Sequence, residues 1–185
     1  GAILAKGGDL AGQLQHATDP GKRIGALIAT LSLDGQQAVP LLRLALKDPD
    51  DEVRLLAYAL LNRKEKAVEA RMREQHALTA GDVPERFFLR HKALAHDYWE
   101  LAHLGDPHGE ALVSLCGRAH EHVQAALKLR PQDGGLQFLA GQILLVQMQF
   151  DAASEAFVAA QRCGIDACQS AAMLAEIAFR RQRYA

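Results

Sequence analysis

The sequence predicts an all-α protein, a solenoid of helical hairpins, and three observations carry that prediction. Hydrophobic residues fill 49% of the 185 positions but aromatics only 5%, and abundant alanine and leucine suit close helix packing better than a sheet. Apolar residues recur three and four positions apart through most of the chain, the period of one helical face. Towards the C-terminus small and aromatic residues recur every 34 positions. Gly141 and Phe150 map onto Ala175 and Tyr184, and Ala153 and Ala160 map back onto Ala119 and Ala126. One hairpin cannot bury both of its apolar faces, so neighbouring hairpins must complete the core.

Taken in order, residues 1–8 read as a frayed tail, and 10–16 and 22–33 as two short helices. Asp19-Pro20 opens the second, with the aspartate as cap and proline at the first helical position. The same step recurs 29 residues on at Asp48-Pro49, aligning Ile24 with Val53, so a degenerate first repeat is expected. The hairpin over 36–73 follows, with its turn at Lys47–Asp50. Val39, Leu41, Leu42, Leu44, Ala45 and Leu46 form one apolar face, and Val53, Leu56, Ala57, Leu60 and Leu61 the other. Asp48 is expected to cap the second helix, with Pro49 at its start and Asp50, Asp51 and Glu52 meeting the positive end of its dipole. That helix turns polar after Asn62, carries a Glu69–Arg73 pair at i,i+4 and ends at Thr79-Ala80-Gly81. Asp82 and Glu85 then form a capping box for a helix through Phe87, Phe88, Tyr98 and Trp99. Asp106-Pro107 starts another, ending near Leu129-Arg130-Pro131.

Two of these stretches resemble known repeats. Pro40, Asp48, Val53, Arg54 and Ala57 have the spacing of a HEAT repeat; the resemblance implies that Pro40 bends the first helix and that Asp48 and Arg54 bond around the turn. Gly141, Phe150, Ala153, Phe157 and Ala160 have the spacing of a tetratricopeptide repeat, which implies one elongated repeat, one standard repeat and the first helix of a third. Together they imply a right-handed α-solenoid, with a HEAT-like part at 1–80 and a tetratricopeptide-like part at 81–185 packed as one continuous stack. Tetratricopeptide arrays present their first helices to a groove. By resemblance, that assigns partner contact to Phe138, Gln142 and Leu145 from one repeat and to Gln169, Glu176 and Arg180 from the next. The lysine and asparagine set of carboxylate-clamp co-chaperones is missing, since Phe138 and Glu176 stand where basic residues are wanted.

The chemistry of the chain points away from catalysis. A net charge of −1 supplies no field to draw in nucleic acid. The stretch 62–92 holds eight Lys/Arg against five Asp/Glu, which reads as a solvated helix face. Cys116, Cys163 and Cys168 form no disulfide or metal framework, and a reducing compartment is the simpler reading. His96, Glu100 and His103 share one helical face, and Glu100-x-x-His103 is half of a di-iron bundle motif. No second half exists, so polar surface is the expected role, with no metal and no cofactor. Cys116 and His120 are also i,i+4, but lack a third group to orient the base. No phosphate loop or nucleophile elbow is present. No run approaches the roughly 18–20 apolar residues of a membrane helix, nor does a signal peptide open the chain. It stops at Tyr184-Ala185 inside a predicted helix, so a longer parent protein is expected.

HEAT-like hairpin, charged helix and tetratricopeptide-like repeats follow in an uncommon order. With DPDDEVRLLAYALLNRKEKAVEAR at 48–71, the chain resembles the PelE family of bacterial Pel exopolysaccharide systems. The resemblance implies a non-catalytic scaffold on the cytoplasmic face of the inner membrane. Its expected partners are PelD, PelG and the glycosyltransferase PelF, with the membrane anchor outside this stretch. It implies no catalytic residue. The alternatives are a general peptide-binding adaptor and a metal-dependent helical enzyme using His96, Glu100 and His103.

Overall fold

The computed structural model describes residues 2–77, 83–104 and 110–184, with side chains described over 9–35, 37–77, 83–104 and 110–182. Among them, every regular element is helical, as the composition predicts. The chain divides into two compact units, 1–70 and 71–185. The division falls inside a helix and earlier than the 80/81 boundary read from the sequence, because the last turns of that helix pack with the helices that follow.

Unit 1 contains α1 (Ala2–His16), α2 (Pro20–Ala29), a 3-10 turn (Thr30–Ser32), α3 (Gly35–Ala45) and most of α4 (Asp51–Ala77). Helix α1 reaches back to Ala2, so 2–8 belong to a helix and not to a frayed tail. Asp19 caps α2 by accepting from the Gly21 amide, with proline at its start, as expected. Asp34 caps α3 by accepting from the Gln37 amide at 2.8 Å. The core joins Leu14 of α1, Ala26 and Leu27 of α2, Leu41, Leu42 and Ala45 of α3, and Val53, Ala57 and Leu60 of α4. The two predicted faces of the central hairpin therefore do share one core. Pro40 lies inside α3 with its ring exposed.

The turn before α4 differs from its sequence reading. Asp50, and not Asp48, caps the helix, its carboxylate accepting from the amides of Glu52 at 2.9 Å and Val53 at 3.3 Å. Asp48 is buried and bonds face to face with Arg23 of α2, at 2.8 Å to Nε and 3.0 Å to Nη2. Its Oδ1 also accepts from the Asp50 amide. Arg23 sends Nη1 to the carbonyls of Ala17 and Thr18. Every charged atom of this buried pair is thus bonded, the condition under which burying an ion pair is tolerated. Arg54 does bond around the turn, but to the Asp48 carbonyl at 2.6 Å and to the Asp51 carboxylate; the Asp48 side chain is already engaged.

Unit 2 contains the end of α4, a long pair α5 (Pro84–Leu104) and α6 (Glu110–Leu129), a shorter pair α7 (Gly134–Val146) and α8 (Phe150–Arg162), and α9 (Ala167–Tyr184). The expected capping box at Asp82 and the Asp106-Pro107 start lie outside the described residues. One core runs from Phe88, Tyr98 and Trp99 through Cys116, Ala119 and Val123 to Leu136, Ile143, Phe157 and Ile177. Ala119, Ala126, Ala153 and Ala160 are fully buried, at the positions that the 34-residue period relates. Gly141 sits against the Phe157 ring so closely that an added Cβ would lie 2.7 Å from Cε1.

Candidate protein-docking face

Two turns with opposite sequence signals place the helices of this face. Helix α7 begins at Asp133, which accepts from the Leu136 amide at 3.0 Å and pairs with Lys92 of α5. Burial opposes ionisation of this carboxyl, but the Lys92 ammonium and the Leu136 amide outweigh it and hold Asp133 below the usual carboxylate range. At the other end, Met148 adopts φ +61°, and the Gln149 amide reaches back to the Leu144 carbonyl. After α8 the same left-handed stop falls on Gly164, φ +96°, with the Ile165 amide donating to the Ala160 carbonyl. Helix α9 then packs on α8 and α7 through Met173, Leu174 and Ile177, and Arg181 pairs with Asp151 of α8.

Six side chains were expected to line a groove here, and they divide into two groups. Leu145 is buried and Phe138 is half-buried, its ring edge-on to Phe157 with centroids 5.2 Å apart. Both serve the core, because α7 is apolar nearly all round and is covered on several sides. Gln142 is half-buried and Gln169 is exposed. Glu176 and Arg180 are half-exposed and bond one turn apart, at 2.6 Å. What remains accessible is a polar face with a self-neutralised ion pair, together with Phe179, which is 57% exposed beside Arg180 on α9.

The other candidates are dispersed. His96 is exposed, Glu100 is bonded to Arg71 at 2.6 Å, and His103 donates from Nδ1 to the Trp99 carbonyl at 2.8 Å with its ring against that indole. Shared helical spacing does not bring the three to a common point. Among the described residues, no group of three or more His, Cys, Asp or Glu is arranged to hold a metal ion. The Cys116 thiol is buried and pushed up to about 11 by that burial, leaving almost no thiolate at neutral pH. His120 bonds to Gln124 instead. Arg71, from the basic stretch, is taken up by Asp97 and Glu100. No described helix is long and apolar enough to cross a membrane.

Sequence reasoning missed two arrangements. Arg23 stands at i,i+3,i+4 spacing with the buried Ala26 and Leu27, and a charged residue on such a stripe signals a buried partner. His76 and His91 gather against His122, which stacks on Tyr98. The available signal was the crowding of seven of the eight histidines into 76–122. No protein-family model matches this chain, and no curated protein matches it either.

Proposed function

We propose that the chain is a non-catalytic protein-interaction scaffold of tetratricopeptide type. In this reading it serves on the cytoplasmic side of a bacterial inner-membrane Pel exopolysaccharide synthase, with PelD, PelG and PelF as its partners. The observation that supports the scaffold reading best is the α7–α8 pair, where Gly141 receives Phe157 and α9 stacks on both helices. This is the packing that the tetratricopeptide spacing requires. The Pel assignment rests on the 48–71 sequence resemblance. The docking face is Gln142, Gln169, Glu176 and Arg180, the accessible part of the expected set.

Capture of detergent-solubilised PelD, PelG and PelF by the purified chain tests both levels. At least one partner is expected to bind the wild type, and Glu176→Arg to weaken it about tenfold, roughly 1.4 kcal/mol, with helicity unchanged. Failure of all three to bind removes the Pel assignment. Binding by the wild type that survives Glu176→Arg, Arg180→Glu and Gln142→Arg alike removes the face. Phe138→Ala is a poorer probe, because its ring also packs on Phe157.

A further inference from the structure

We propose that the imidazoles of His76 and His91, gathered against that of His122 where it stacks on Tyr98, form with it a proton-operated latch on the packing of α5 and α6 with the last turn of α4. The three rings come from three helices. His91 of α5 and His122 of α6 meet Nδ1 to Nδ1 at 2.8 Å. One nitrogen must donate and the other accept, so the contact exists only while at least one ring is neutral. With both rings protonated, two N–H groups face each other.

His122 is the centre of the arrangement. Its ring stacks on Tyr98, with centroids 5.4 Å apart and planes at 14°. Its Nε2 is sealed from solvent and has no hydrogen-bond partner. The Tyr98 hydroxyl reaches His76 Nε2 at 3.5 Å, which ties α4 to the same rings. The charged groups acting on His122 are all cationic or potentially so: Arg90 and His91 on α5, Arg118 on α6 and His76 on α4. Arg118 also lies over the Tyr98 ring at 5.6 Å. A proton added here gains no carboxylate among the groups acting on the ring and repels four neighbours.

Burial first, then His91, Arg118, His76 and Arg90, push His122 down to about 4. Burial and Arg90 also lower His91. An unfolded histidine titrates near 6.5, so between about 6.5 and 4 the opened chain binds more protons than the closed one. The contribution of the latch is therefore complete above about pH 6.5 and is lost as pH falls towards 4. Mild acid therefore loosens α5 and α6.

Histidine ring NMR of the whole chain tests this directly. His122 is expected to titrate near pH 4, and the thermal midpoint to fall by at least about 4 °C between pH 7.5 and 5. His122→Gln is expected to flatten that fall. A His122 midpoint near 6.5, or an equal fall in wild type and His122→Gln, overturns the latch. Should His122→Gln fail to fold, the wild-type titration and His91→Gln still decide. Zinc added alone at pH 7.5 provides a further control. Stabilisation by one equivalent that His91→Gln abolishes would make the pair a ligand set and also overturn the latch.

Discussion

The two units reach stability by opposite means. Unit 1 places a fully bonded ion pair, Arg23 with Asp48, inside a core of aliphatic side chains. Unit 2 has no comparable buried pair among its described residues and relies on small residues admitting large ones, Gly141 beneath Phe157 above all. A buried ion pair is directional and fixes which helix meets which turn, but it fails badly when one partner is lost. Apolar packing is non-directional and degrades in proportion to the volume changed. Unit 1 is thus specified by a bond and unit 2 by a shape.

Single and double substitutions can break this comparison. Arg23→Ala or Asp48→Ala alone should cost about 3–5 kcal/mol, since each strands a buried charge. The double variant Arg23→Met with Asp48→Leu should recover most of that loss. Urea unfolding of the three variants decides, and equal losses in single and double variants would show that the pair stabilises in its own right. In unit 2, Gly141→Ala drives a methyl into the Phe157 ring and should cost about 1–3 kcal/mol. Coupling it with Phe157→Leu should relieve the clash, as shape control demands. The smallest effect sharpens the picture at the turns. Met148 holds a left-handed conformation that Gly164 adopts without strain, so Met148→Gly should stabilise by about 0.5–1 kcal/mol. Thermal unfolding would register it as a rise of a few degrees.

Helix existence was legible from the sequence, because apolar spacing is a local property that survives packing. The helix through Phe87 and Trp99 stands where spacing put it, and Gly141 on α7 is followed by Phe150, Ala153, Phe157 and Ala160 on α8. Caps were less legible where acidic residues crowd. In Asp48-Pro49-Asp50-Asp51 three carboxylates compete, and the choice of Asp50 depends on Asp48 being drawn away by an arginine 25 residues earlier. The face was half legible for a similar reason. Spacing says which residues share a side of α7, but only the packing of neighbouring helices on it decides that Leu145 is buried and Gln142 half-buried. His96, Glu100 and His103 show the converse: on one shared stripe, Glu100 bonds to Arg71, His103 bonds to the Trp99 carbonyl and His96 is exposed.

The bond between Glu176 and Arg180 has a kinetic consequence. Because the two charges cancel within one turn of helix, the face they occupy projects little long-range potential to guide an incoming molecule. Encounter would then proceed at the unsteered rate, about 10⁵–10⁶ M⁻¹s⁻¹, and would change little with ionic strength. Discrimination between right and wrong partners would fall to how long each one stays.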